Sequence, residues 1–163
     1  MLFVPAHDTR KLLKGLACGA DALIIDLEDA VPPGEKARAR ETGAAFVAEH
    51  HDALPLIVRV NAASTGLLLD DLAAVVRARP WGVMLPKCES GRDVALLDAY
   101  LRALEARDGV AAGSVRILPI VTETAASLFN FASYMPASPR LCGMLWGGRR
   151  SGGRPGRPCQ PRR

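Results

Sequence analysis

Short, almost uninterrupted apolar runs recur along the chain, and each is followed by a turn and then by a stretch with helical spacing of its apolar positions. Six runs read as strands: Leu2–Val4, Ala22–Asp26, Leu56–Val60, Gly82–Leu85, Arg116–Val121 and Leu141–Trp146. Runs this continuous suit parallel strands covered on both faces, where no side alternates toward water. Helices fill the gaps. Asp8 caps one that runs through Cys18 with Gly19 as its stop, and Pro33 opens a charged helix to about His50. Two more fit Leu68 to Arg79 and Gly91 to Arg107, and a fifth follows the fifth strand directly, from Glu123 to about Tyr134. The alternation predicts an α/β fold, an incomplete (β/α)8 barrel. A closed barrel takes eight strands and about 250 residues, and about six βα units are legible here.

The pattern stops at Gly148. The following RRSGGRPGRPCQPRR has no aliphatic or aromatic residue with which to offset its ordering entropy. The expected organisation is therefore a partial barrel domain over residues 1–148 and a disordered Arg/Gly/Pro tail over 149–163. Charge changes meaning under this division: the tail holds six arginines and no acid, so the formal +4 of the whole chain becomes −2 for its body. A mildly acidic body and a tail without aromatics argue against nucleic acid as the partner. The 49% hydrophobic content is that of a soluble globular domain. No apolar run approaches the roughly 20 residues of a membrane span, and the opening MLFVPAHDTR does not have the form of a secretion signal. The expected location is the cytoplasm. Cys18, Cys88, Cys142 and Cys159 show no metal-ligand spacing and are expected to be thiols.

In α/β folds the residues just past the C-terminal ends of the strands converge on one rim, where ligands bind. Here that rim collects Asp26, Glu28 and Asp29 after the second strand, Arg59 and Asn61 after the third, Lys87 and Glu89 after the fourth, and Glu123 with Thr124 after the fifth. Carboxylates facing an arginine and a lysine are what an oxygen-ligated Mg²⁺ and an anionic substrate need. Any one of these acids could equally cap the helix that follows it. Lys36, at the start of the second helix, is expected on a solvated face.

The stretch LFVPAHDTRKLLKGLACGADALIIDLEDAVPPGEKARARE resembles the opening of the HpcH/HpaI aldolase and citrate lyase beta family, and the likeness continues through IVRVN, VMLPKCES, ILPIVTETAASL and SPRLCGMLWGG. The resemblance implies a barrel of the phosphoenolpyruvate/pyruvate-domain type and a Mg²⁺-assisted carbon–carbon lyase of retro-Claisen or aldol kind. Such an enzyme cleaves a 3-hydroxyacyl thioester (citryl, malyl or citramalyl, on coenzyme A or an acyl carrier protein) into a keto acid and an acetyl thioester. It further implies a homo-oligomer. Arg59 matches the family's substrate-carboxylate arginine, and Glu123 matches a residue that ligates the metal and borders the substrate. Lys87 is a further substrate-binding candidate. Asp26, Glu28, Asp29, Asn61 and Glu89 are expected around these as pocket wall or support.

One departure bears on activity. After LWGG the family carries a G-x-E-D-L motif whose aspartate is the second metal ligand, and this sequence has Arg149 and Arg150 there. The tail permits a frameshift origin: one allowed set of codons, read one base later, spells EDLAADLGAPANR. The chain as given is accordingly expected to be inactive, with the general acid also absent. The alternatives are a catalytically dead partner of a full-length homologue and a polyanion binder acting through the basic tail.

Overall fold

Parallel strands cannot be joined by a tight turn, so each must return through a crossover, and the crossovers decide where the helices lie. In the computed structural model, which describes residues 1–135 and 137–147, five strands alternate with five helices. They are β1 (Leu2–Pro5), α1 (Thr9–Ala17), β2 (Leu23–Asp26), α2 (Lys36–His50), β3 (Leu56–Arg59), α3 (Leu68–Val75), β4 (Gly82–Leu85), α4 (Gly91–Asp108), β5 (Arg116–Pro119) and α5 (Ala125–Phe129). All four pairings are parallel, in the order β1-β2-β3-β4-β5. An order that never reverses sends right-handed crossovers to one side of the sheet, as in the wall of a barrel.

The packing has the same asymmetry. Leu23, Ile25, Leu56, Val58, Val83, Leu85 and Ile117 pack with Leu12, Phe46, Leu72, Val94 and Leu101 of the helices in one large core. The alternate strand positions Ile24, Ile57, Met84 and Leu118 form a second, smaller cluster with Ala22, Ile120, Trp81 and Leu145, to which no helix contributes. That second face is the inside of the barrel wall. Its polar residues lie at the C-terminal ends of the strands.

Local signals account for the helix ends. The Asp8 carboxylate accepts from the Lys11 amide at 3.0 Å, capping α1, and Ser90 with Asp93 forms a capping box that opens α4. Three expected elements differ from their sequence reading. The run Leu68 to Arg79 is α-helical only to Val75, then tightens into a 3₁₀ turn at Val76–Ala78 that ends on Arg79 with φ of 60°. The expected Glu123 to Tyr134 helix is α5 plus a separate 3₁₀ turn at Phe131–Tyr134, because Thr124 caps at the Ser127 amide and delays the start. The sixth run, Leu141–Trp146, is no regular strand. It lies parallel to β5 through isolated bridges at Leu141 and Leu145, and Trp146 is 77% exposed. Gly148 and the tail 149–163, with Arg149, Arg150, Cys159 and the frameshift reading, lie outside the described residues.

Backbone hydrogen bonds hold the sixth run against β5, and a buried ion network ties Arg140, at its start, to α4. Arg140 forks onto Glu105 of α4 at 2.7 and 2.6 Å and donates from Nε to Asp98 at 2.7 Å. Asp98 also accepts from Ser138 and Arg102, and Glu105 from the amides of Gly113 and Val115. Burial pushes both carboxyls up, but these donors outweigh it and hold both below their ordinary values of 3.8 and 4.5. A depressed carboxyl stabilises the fold above its unfolded pKa and loses that contribution as pH falls through the folded value. Arg140→Met, which strands two buried carboxylates, is expected to lower stability at neutral pH by about 3–5 kcal/mol. Urea unfolding should show the gap between variant and wild type closing below pH 4. A gap that is small at pH 7, or unchanged at low pH, would contradict the network's role.

Candidate functional site

Asp26 and Arg59 are register partners at the ends of β2 and β3. Each lies two positions after an inner-face isoleucine, Ile24 and Ile57, so both point to the inside of the wall. Arg59 donates from Nε to Asp26 Oδ1 at 2.8 Å and from Nη2 to Oδ2 at 2.6 Å. Its Nη1 lies 3.1 Å from Glu28 Oε2 and 3.7 Å from Asp29 Oδ2, and its guanidinium stacks over the Phe3 ring at 5.0 Å. Burial is the largest influence and works against the Arg59 charge, but the Asp26 hydrogen bonds and the attraction of Asp26, Glu28 and Asp29 together outweigh it and raise its pKa.

Asp26 does not cap the helix that follows. Its two oxygens also accept from the amides of Glu28 and Ala30 at 2.8 and 3.1 Å, which curls residues 26–30 into a tight acidic turn. The turn places Glu28 toward Lys87, whose Nζ donates to Glu28 Oε1 at 2.7 Å. Burial pushes the Glu28 carboxyl up, against the opposing pull of Lys87 and Arg59. The bond to Glu28, in turn, raises Lys87.

Lys87 links this cluster to the far side of the cleft. It holds φ of 50°, a left-handed conformation that a residue with a side chain rarely adopts, and its amide donates to Glu123 Oε2 at 2.6 Å. Glu123 is pressed from the other side by the segment at Gly147. A Cβ on Gly147 would sit 2.7 Å from Glu123 Cγ, so only glycine leaves that side chain its place. Thr122 fixes the same segment by donating to the Gly147 carbonyl at 3.1 Å.

Between these groups lies a cleft of about 1140 Å³, lined by Phe3, Asp26, Asp29, Arg59, Lys87, Thr122, Glu123 and Gly147, with Met1, Leu2 and Ala30. The structure thus brings Arg59, Lys87, Asp26, Asp29 and Glu123 together at one mouth, with Glu28 behind. Two expected residues lie off the cleft. Glu89 is exposed beyond the rim, where its carbonyl accepts from Asn130. Asn61 is buried behind the turn, bonded to Leu27 and Asp71. Lys36 is a correction: far from lying on a solvated face, its ammonium reaches inward to three acceptors under the acidic turn. Phe3, Gly147 and the buried pair Arg40–Asp71 were not singled out from the sequence. Phe3 could have been, because it stands at an inward position of β1, in register with Ile24.

The donor chemistry suits Mg²⁺, since the carboxylates Asp26, Asp29 and Glu123 that line the cleft, with Glu28 behind them, outnumber the two side-chain cations Arg59 and Lys87. The arrangement supplies too few ligands. Asp26, Glu28 and Asp29 are turned to Arg59 and Lys87, and no group of three or more metal-binding side chains occurs among the described residues.

Comparison with known proteins agrees with this fold. The chain is 34% identical over 149 residues to the citrate lyase subunit beta of Haemophilus influenzae, covering 90% of this chain and 50% of that protein. It is 34% identical to the malyl-CoA/beta-methylmalyl-CoA/citramalyl-CoA lyase of Chloroflexus aurantiacus, covering 89% and 43%. The crystal structure of protein CitE from Mycobacterium tuberculosis in complex with magnesium and acetoacetate superposes with a TM-score of 0.67 at 30% identity, over 91% of this chain and 53% of that one. The chain therefore spans about half the length of the curated relatives it matches, and the model of the HpcH/HpaI aldolase/citrate lyase family matches residues 1–149. With that match, and with a singly wound βα wall carrying its polar residues at the strand C-termini, the chain belongs to the HpcH/HpaI aldolase/citrate lyase family.

Proposed function

We propose that this chain carries the keto-acid half of the active site of a carbon–carbon lyase that splits a citryl-, malyl- or citramalyl-type thioester into a keto acid and an acetyl thioester. The observation that carries the reading is Arg59, a largely buried guanidinium that lines the cleft and has one edge outside its fork with Asp26. Asp26 takes the Nε/Nη2 edge side-on. The Nη1/Nη2 edge is contested only by Glu28 and by the exposed Asp29 at 3.7 Å, so a substrate carboxylate can take it without breaking the Asp26 fork.

Glu123 faces Arg59 across the cleft and is the one described residue we assign as a metal ligand. When bound, the metal would supply Lewis acidity toward the keto-acid oxygen. The expected second ligand falls in the sequence at Arg150, outside the described residues, and a guanidinium has no lone pair to offer a cation. Our reading is therefore that the chain binds the keto acid and turns over little thioester. Lys87 holds Glu123 by its amide and Glu28 by its ammonium, and so sets the distance between the carboxylate site and the metal side.

A second reading has its own observation. Phe129 is 90% exposed and Met135 75%, with Leu128 and Phe131 also open to solvent, four large apolar side chains within eight residues. A partner subunit would bury them, in line with a catalytically silent companion of an intact homologue. Recovery of such a homologue in fixed proportion on purification would favour this reading.

Oxaloacetate titrated into the full chain, followed by calorimetry, should show saturable binding. Arg59→Lys keeps the charge but loses the fork, and is expected to weaken binding about tenfold, the value of one charge-assisted hydrogen bond. Equal affinity in the two proteins would sink the assignment of Arg59. Glu123→Gln should leave oxaloacetate binding in the absence of metal unchanged and remove any gain in affinity that Mg²⁺ produces. A Mg²⁺ effect surviving in that variant would place the cation elsewhere.

A further inference from the structure

Lys36 begins α2, where an exposed, charged residue is ordinary. Its ammonium instead donates to the Leu27 carbonyl at 2.6 Å, the Glu28 carbonyl at 2.7 Å and Asn61 Oδ1 at 2.7 Å. Three donors meet three acceptors, so the group is saturated. Burial pulls its pKa down, against the attraction of Asp71, Asp26, Glu28 and Asp29.

None of the three acceptors is a carboxylate. In a site with four acids nearby, a lysine would ordinarily take a carboxylate oxygen. Here it takes the backbone carbonyls of two consecutive residues from behind, leaving the amide of Glu28 and the side chains of Asp26, Glu28 and Asp29 turned to the cleft side. The third acceptor is itself held. Asn61 Nδ2 donates to the Leu27 carbonyl at 3.1 Å and to Asp71 Oδ2 at 2.7 Å, and Asp71, fully buried, accepts from Arg40 Nε at 2.7 Å. A continuous hydrogen-bonded chain thus runs from Arg40 on α2 through Asp71 and Asn61 to Lys36, and from there into the acidic turn that grips Arg59.

We propose that Lys36 is a positioning residue: its ammonium clamps the Leu27 and Glu28 carbonyls so that the 26–30 turn presents Asp26 to the Nε/Nη2 edge of Arg59 and Glu28 to Lys87. None of the three acceptors of Lys36 belongs to a residue that lines the cleft. It acts through the turn, and its positive charge offsets part of the excess negative charge at the cleft without occupying the space a ligand needs. Arginine is a poor replacement, because a planar fork cannot converge three bonds as a tetrahedral ammonium does. The proposal deepens the keto-acid reading at Arg59 and rests on it only for its ligand-binding consequence.

The test is hydrogen–deuterium exchange on the full chain, resolved at the amides of Glu28 and Ala30, both of which donate to Asp26. Lys36→Met, close in length and without the charge, should speed exchange at these two amides at least tenfold well below the melting temperature. Leu101→Ala, a cavity variant in α4, should lower the melting temperature without changing them. Unaltered protection at Glu28 and Ala30 in Lys36→Met would overturn the proposal, as would equal loss in both variants. Should Lys36→Met not fold, amine acetylation of the wild-type chain decides: Lys36 is expected to react at least tenfold more slowly than Lys11 and Lys14, and equal rates would refute the clamp. Oxaloacetate affinity supplies the functional arm, expected to fall about tenfold in Lys36→Met. If the wild type binds no oxaloacetate, the keto-acid reading fails while the exchange and acetylation results still decide on Lys36.

Discussion

The fork between Asp26 and Arg59 is the interaction on which the site depends. It joins adjacent strands at the same register row, so it exists only because β2 and β3 pair in parallel with this alignment. A shift of one residue would turn both side chains toward the helices, where Ile25 and Val58 now pack. The isoleucines two positions earlier on each strand make that shift expensive, since Ile24 and Ile57 would trade the inner cluster for the outer core together. Hydrophobic alternation thus sets the register, and the register sets the ion pair.

An ion pair this enclosed does not hold itself. Desolvation weighs against both partners, and such pairs survive where the remaining polar atoms are satisfied. Asp26 meets that condition through the amides of its own turn, while Arg59 is compensated by the charge of Glu28 and the face of Phe3, a contact that leaves Glu28 Oε2 without a hydrogen bond among the described residues. The turn is held from behind by an ammonium and an amide side chain. Two layers of polar groups therefore stand back to back, with the backbone of residues 27 and 28 between them. The buried network around Arg140 plays a corresponding part at the far edge, tying down the start of the segment that ends in Gly147, and Gly147 is what limits the position of Glu123.

Much of this was legible in the sequence. The first five strand runs, the four longer helices and the rim residues follow from apolar continuity and strand-end position, because parallel strands buried on both faces leave few other readings. What resisted reading had physical causes. The sixth run has the composition of a strand, but it meets β5 only at isolated bridges, and strand form depends on neighbours that composition does not describe. Lys36 carries no local sign of its burial: its three acceptors are nine, eight and 25 residues away. For Asp26 the sequence left helix capping as an equal alternative to a place in the pocket wall, because an acid between a strand and a helix suits both, and its oxygens are committed to Arg59 across the sheet and to the two amides of its own turn.

The arrangement of Arg59 constrains what a ligand must do. A guanidinium has two edges that can take a carboxylate in a fork, and Asp26 holds the one nearer the backbone. A substrate carboxylate at the outer edge competes with Glu28 and Asp29 rather than with Asp26. Asp29 is exposed and 3.7 Å away, so water replaces its contact at little cost. Glu28 is buried and keeps Lys87 as its partner when its contact to Arg59 is given up. The acid that would be costly to displace is therefore the one the ligand leaves alone, and the two that must yield each have another partner or solvent to turn to. On this argument the acidic cluster does not obstruct the arginine. It keeps the guanidinium oriented while one edge remains exchangeable.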